Sequence, residues 1–221
     1  RKILICSGKG GVGKTTISVA IANELSRRGH LVALVDADID TPNIPEFTEI
    51  DQKVGTGEKI KPIVVGNLEV MSLGLIIDDN DFVSWSGEKR GMAVQQLVEA
   101  VYWNSEMEFM VIDSAPVTSD EIQYIVNAFH PDNVFVISTP HPASIADVKR
   151  TISMLNKNES VIDGIIMNMA KIVCPGCGKV IQSLDVPSEI SDISVIQSIE
   201  FSIDGIDVSK LCDLILDGGD K

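Results

Sequence analysis

Nine consecutive residues, Gly8-Lys9-Gly10-Gly11-Val12-Gly13-Lys14-Thr15-Thr16, carry most of the chemistry that can be read from this chain. They satisfy G-x-x-x-x-G-K-S/T. In that pattern the N–H groups of a glycine-rich turn cradle phosphates, the lysine reaches the β- and γ-phosphates, and the hydroxyl holds magnesium. The neighbours suit the pattern. Lys2-Ile3-Leu4-Ile5-Cys6 is a short apolar run of the kind that forms a buried strand, and residues 16–28 place Ile17, Ala20, Ile21, Ala22 and Leu25 on one helical stripe. A strand that turns through glycines into a helix N-terminus aims free N–H groups at one point, where the helix dipole favours an anion. The same stretch also fits G-x-G-x-x-G through Gly8, Gly10 and Gly13, with Asp36 at the distance expected of a dinucleotide site. Lys14 and Thr15, which a dinucleotide does not require, favour ATP or GTP.

Two acids stand where magnesium and an attacking water need them. The apolar run ending in Asp36-Ala37-Asp38-Ile39-Asp40 and the run Phe109-Met110-Val111-Ile112-Asp113 both close on carboxylates. Beside a phosphate loop, Asp36 and Asp113 are expected to support magnesium and Asp38 to position the water. A second chemical group is Cys174-Pro175-Gly176-Cys177, two thiols on a tight turn. Iron in a cluster, or zinc, takes four ligands, so one such pair is half a site, and two pairs meeting on a two-fold axis make a whole one. Spacing alone leaves iron–sulfur, zinc, a redox dithiol and a plain loop open. Cys6 and Cys212 lie in apolar segments and are expected to be small buried hydrophobes.

These groups must be held by a regular scaffold. Strand-like runs at residues 2–7, 31–36, 68–72, 109–113, 133–138 and 161–168, with a further one near 195–199, alternate with helical patterns at 14–28, 91–102, 119–128, 144–156 and 208–216. Continuous apolar runs such as Val32-Ala33-Leu34-Val35 imply burial on both faces. The expected fold is therefore α/β, a mostly parallel sheet with helices on both faces, in one domain over residues 1–221. In such folds ligands lie beyond the carboxyl ends of the strands, where the glycine loop, Asp36, Asp113 and Asn168 all fall. Residues 38–67, rich in Pro, Gly, Thr and Asp, read as loop.

The net charge of −14 argues against DNA or an anionic membrane as a partner. No apolar run is long enough to cross a bilayer, and no signal peptide opens the chain, so a cytoplasmic location is expected. The chain starts without methionine almost inside its first strand, and a preceding segment is expected.

Lys9 sharpens the reading. With it the loop resembles K-G-G-x-G-K-S/T-T, the deviant form found in MinD-like P-loop ATPases. The resemblance narrows to the Mrp/ApbC family of iron–sulfur cluster carriers. The segments that carry it are Asp36-Ala37-Asp38-Ile39-Asp40-Thr41-Pro42-Asn43-Ile44-Pro45, Met71-Ser72-Leu73-Gly74, Val83-Ser84-Trp85-Ser86-Gly87, Asp113-Ser114-Ala115-Pro116 with Asp120, Ser138-Thr139-Pro140-His141-Pro142-Ala143, Ala146-Asp147-Val148, Asn168-Met169 and the cysteine pair. The chain departs from that family's pattern at Ser86, Val117 and Ser119, and its segment after Cys177 is shortened. The resemblance implies a slow, switch-like ATPase using ATP and Mg²⁺, in which Lys9 reaches the nucleotide of a partner copy and Asn168 reads adenine. It further implies a homodimer with a 4Fe–4S cluster on Cys174 and Cys177, delivered to apo iron–sulfur proteins. Two alternatives share the loop: a MinD/ParA-like regulator of positioning or partition, and a metal-insertion ATPase. The regulator needs a basic tail or surface, whereas Leu211-Cys212-Asp213-Leu214-Ile215-Leu216-Asp217 is acidic and is expected to pack on the sheet.

Overall fold

Six parallel pairings build the centre of a ten-stranded sheet in order β3-β4-β2-β5-β1-β6-β7-β10-β9, with β8 paired to β7 off this path. The computed structural model describes residues 1–54, 60–76, 87–116, 121–174, 176–201 and 205–217. Within them the strands are β1 (Lys2–Ser7), β2 (Val32–Ala37), β3 (Ile63–Val65), β4 (Leu68–Met71), β5 (Phe109–Pro116), β6 (Asn133–Ser138), β7 (Gly164–Val173), β8 (Val180–Ser183), β9 (Glu189–Ile190) and β10 (Ile193–Phe201). The helices are α1 (Lys14–Arg27), α2 (Ile44–Thr48), α3 (Gly87–Glu99), α4 (Glu121–Phe129), α5 (Pro142–Lys157) and α6 (Ser209–Asp217). A 3₁₀ turn follows β4 at Leu73–Leu75.

The strand pleat divides the core in two. Ile3, Ile5, Leu34 and Val111 face one side with Ile17, Ile21 and Leu25 of α1 and Leu211, Cys212 and Ile215 of α6. Leu4, Cys6, Val35 and Ile112 face the other with Leu97 of α3, Phe129 of α4 and Ile152 and Leu155 of α5. Alternate residues of one strand thus serve opposite layers, which is why β2 is buried along its whole length and reads as an unbroken apolar run. Helices cover both faces, as expected. The C-terminal apolar residues pack against α1, so that helix belongs to the core. No helix among the described residues is long and apolar enough to cross a membrane.

The segment expected to be loop between residues 38 and 67 contains α2 and β3. Both are very short, and α2 holds Pro45 in its first turn, so periodicity gives little signal there. β7 begins later and runs five residues further than expected, from Asn168 on to Val173, because it pairs with β10 and then folds back as a hairpin into β8. The residues after Cys177 therefore form β8 and β9 before β10. The motif residues Val83, Ser84, Trp85, Ser86, Val117, Ser119, Asp120 and Pro175 lie outside the described residues.

Candidate active site and cysteine hairpin

The phosphate loop leaves the carboxyl end of β1 and enters α1 through Gly13, whose φ of +87° only glycine adopts without strain. Val12 is anchored in the core, 3% exposed, while Lys9, Gly10 and Gly11 are exposed. Gly8 sits so tightly against α5 that an added Cβ would lie 2.7 Å from the Asp147 carbonyl oxygen and from Thr151 Oγ1. The loop is thus clamped at both ends with its middle open, the shape a phosphate cradle requires.

Parallel register places the two acids side by side: Asp36 of β2 pairs with Asp113 of β5, and Asp113 also pairs with Ile5 of β1. Asp113, 1% exposed, gathers the start of α1. Lys14 Nζ lies 3.1 Å from its Oδ1, Ser18 Oγ 2.9 Å from the same oxygen, and Thr15 Oγ1 donates to Oδ2 at 2.6 Å. The hydroxyl of Thr15 and the carboxylate of Asp113 are hard oxygen donors side by side, and they would suit a magnesium ion.

Asp36 has a different neighbourhood. Its Oδ1 accepts from the N–H of Asp38 at 3.2 Å, and its Oδ2 from the N–H of Ile44 at 3.1 Å and from Ser72 Oγ at 2.9 Å. The Ile44 N–H is an orphan donor at the start of α2, so Asp36 ties α2 and the turn after β4 to the end of β2. Burial, followed by repulsion from Asp113, pushes its carboxyl up to about 8. Asp38, 7% exposed, accepts from both the N–H and the hydroxyl of Thr41 at 3.1 Å, and burial raises its pKa. The geometry therefore brings Lys14, Thr15, Asp36, Asp38 and Asp113 to one edge of the sheet.

Asn168 reaches the same loop from β7. It is 3% exposed; its Nδ2 donates to the carbonyl of Val12 at 2.9 Å, and its Oδ1 accepts from the N–H of Met169 at 2.9 Å. The amide that the resemblance assigns to the base is here hydrogen-bonded to the phosphate loop.

Cys174 and Cys177 sit at the tip of the β7–β8 hairpin. The N–H of Cys174 donates to the Lys179 carbonyl and the N–H of Gly178 to the Cys174 carbonyl, each at 2.9 Å. Both thiols are free, Cys177 exposed and Cys174 half-buried. The N–H groups of Gly176 and Cys177, and then the Cys177 thiol, point at the Cys174 sulfur and lower its pKa, favouring the thiolate that binds metal. Among the described residues no third His, Cys, Asp or Glu joins them to make a metal cluster. Cys6 and Cys212 are each 0% exposed, and burial pushes both thiols up to about 12.

A glycine loop, its lysine and two strand-end carboxylates thus share one edge of the sheet, and a pair of free thiols stands at the tip of a hairpin. The model of the NUBPL iron-transfer P-loop NTPases, within the ParA group, matches residues 1–201. The chain belongs to this iron-transfer P-loop NTPase family. The iron–sulfur cluster carrier protein of Methanocaldococcus jannaschii is 39% identical over 185 residues, covering 81% of this chain and 63% of that protein. The chain thus spans less than two thirds of the length of that relative. Among solved structures, the nucleotide-binding protein of Archaeoglobus fulgidus in complex with ADP superposes with a TM-score of 0.74 at 26% identity, covering 96% of this chain and 85% of that one. The septum site-determining protein MinD of Pyrococcus horikoshii, complexed with Mg-ADP, shares the fold with a TM-score of 0.66 at 19% identity, over 90% of this chain and 81% of its own.

The P-loop NTPase fold expected from the glycine loop is thus the fold of this iron-transfer family member. Sequence reasoning assigned no role to Ser18, Thr41 or Ser72. Ser18 was within reach, since it lies four residues after Lys14 and hence on the same helix face. Ser72 follows β4, the parallel neighbour of β2, and so ends at the same edge.

Proposed function

We propose that this chain is an ATP-binding and slowly hydrolysing carrier that holds a 4Fe–4S cluster between two copies of itself and passes it to apo iron–sulfur proteins. The observation that carries the reading is the coexistence, on one sheet, of a complete nucleotide edge and an incomplete thiol site. The loop from Gly8 to Thr16 would bind the phosphates, Lys14 would move from Asp113 to the β- and γ-phosphates, and Thr15 would hold magnesium with the support of Asp113 and Asp36. Magnesium supplies charge neutralisation on the phosphates when bound. Asp38 orients the attacking water, and Lys9, exposed on the loop, reaches toward the partner copy's nucleotide. Asn168, bonded to the Val12 carbonyl, is the residue that the family resemblance assigns to the adenine.

The cysteine pair supports cargo rather than structure. A structural metal is closed off by four ligands of one chain, whereas this pair is carried outward on a hairpin and needs a second pair to complete the set. The name of the Methanocaldococcus relative and the family's iron-transfer description support iron–sulfur over zinc.

Anaerobic reconstitution with iron and sulfide tests the reading, with iron and sulfide counted per dimer in wild type and in Cys174→Ser/Cys177→Ser. Cluster on the wild type and none on the variant is the expected result. Zinc retained in place of iron, or no metal on either protein, would overturn the carrier reading and leave an ATPase of another client.

A further inference from the structure

β7 keeps β10 beside it on both sides of its middle but exchanges its other partner there, β6 for β8. Its first half lies in the central sheet, where the pairing with β6 runs from Phe135↔Gly164 to Ser138↔Met167 and stops. Its second half pairs with β10 and β8 only and carries the cysteine hairpin. Three features coincide at the boundary. Asn168, the next residue, is fixed by its side chain to Val12 of the phosphate loop. Met169 follows with φ +55°, in the left-handed region that a non-glycine side chain rarely adopts. The register against β10 slips between Ser198 and Glu200 at the same level. Burial changes here as well: residues 164–168 are buried, and Lys171 and Ile172 are exposed.

The contact between Asn168 and the loop has little slack. A Cβ added to Gly13 would overlap Asn168 Nδ2, so loop and amide are in close packing and not merely joined by one hydrogen bond. A phosphate bound in the cradle draws the N–H groups around Gly13 toward itself, and the Val12 carbonyl belongs to the peptide unit that precedes Gly13. Movement there is delivered to Asn168, which stands between Met167, the last residue paired to β6, and the bend at Met169. Beyond Asn168, β7 continues for five residues to Val173, directly before Cys174, so the bend and the thiol hairpin share one strand.

We infer that Asn168 is a coupling residue: its side chain links the phosphate loop to the Met169 bend, so that nucleotide sets the disposition of the Cys174–Cys177 hairpin. This rests on the proposed function, since it needs a nucleotide in the loop and a use for the thiols. It adds the route by which one site addresses the other, a two-position element biased from both ends, as coupling requires.

The test reads the thiols directly. The chain, purified under reductant without cluster, is treated with N-ethylmaleimide in the absence of nucleotide, with Mg-ADP and with Mg-ATP. Peptide mass spectrometry follows the rate at Cys174 and Cys177, with Cys6 and Cys212, both 0% exposed, as internal controls. Nucleotide binding is measured separately, and each protein is assayed at saturation by its own Kd. Wild type is expected to change its alkylation rate at the pair by about fivefold or more on nucleotide binding, the low end of ordinary coupling. Asn168→Ala is expected to lose that change while saturated. Met169→Gly leaves the bond between Asn168 and Val12 intact and removes the backbone constraint at the bend, and it is expected to reduce the change with nucleotide affinity kept. This second variant decides the matter if Asn168→Ala fails to fold or to bind. Wild type that binds nucleotide without altering the thiol rate overturns the inference alone, as do variants that bind and respond fully. Wild type that binds no nucleotide overturns the proposed function with it.

Discussion

Replacing Asp113 with asparagine keeps the shape of the site and removes its central charge. Lys14 and Asp113 are 7% and 1% exposed, and breaking a buried pair by removing one partner costs about 3–5 kcal/mol, because the remaining ion is left without its counter-charge. Three considerations place the cost at the lower end. An asparagine Oδ1 still accepts from Lys14 and Ser18, two of the three donors at Asp113, each worth about 1 kcal/mol. Asp38 feels the Lys14 charge as well and remains after the substitution. Asp36 is also relieved of a like charge, but with its carboxyl pushed up to about 8 it is largely uncharged at pH 7, so that relief is small there. The expected loss is about 3 kcal/mol at pH 7, or about 6–12 °C in Tm for a domain of this size. Urea and thermal unfolding without nucleotide and with a magnesium chelator measure it. At pH 9 the wild type carries both carboxylates ionised side by side, so the gap between wild type and Asp113→Asn is expected to narrow. A loss below about 1 kcal/mol at pH 7, or a gap that widens at pH 9, would refute the assignment of Asp113 as the counter-charge of Lys14.

Other expectations follow from the same geometry. Asp36 has a folded pKa above its ordinary value of 3.8, so the folded chain keeps a proton that the unfolded chain has lost; its contribution to stability is present below 3.8 and lost as pH rises through about 8. Urea titrations across that window should show wild-type stability falling with pH and Asp36→Asn showing a flatter dependence, and equal slopes would remove Asp36 as the titrating group. Gly13→Ala, at φ +87° and against Asn168 Nδ2, should lower Tm more than Gly11→Ala, which at φ +76° meets nothing within 4 Å and bears only the backbone strain of about 1–2 kcal/mol. Equal losses would contradict the close packing of loop and amide. Phe129→Ala, fully buried in the layer opposite α1, should cost about 3–5 kcal/mol in urea unfolding and leave nucleotide affinity unchanged in calorimetry.

The nucleotide loop and the alternation of strands and helices were legible because both are local. A glycine turn before a lysine, and an apolar run buried on both faces, each occupy one short stretch of chain. What was not legible is long-range. Lys14 meets Asp113 from 99 positions away, and Asp36 meets Ser72 from 36. The sequence places these acids at strand ends without saying which one holds the lysine and which one ties down α2. The division of labour follows only from strand order, since β5 lies between β1 and β2 and so brings Asp113 next to the loop. The short elements α2, β3, β8 and β9 lacked enough residues for a period to appear. Asn168 was expected from resemblance as a base reader, and its bond to Val12 became visible only once β7 was seen to run beneath the loop.

The outer strands have a consequence for how copies of this chain can meet. β3 has three residues and β9 two, and each runs against its neighbour in the opposite direction to the central strands. Strands so short present little main chain of their own for a second molecule to extend, one of the ways in which sheet proteins blunt an edge, although β9 covers β10 only at Ile193 and Ser194. If two copies of this chain meet as proposed, rims as short as β3 and β9 favour a contact made by side chains, which opens more readily than a shared sheet.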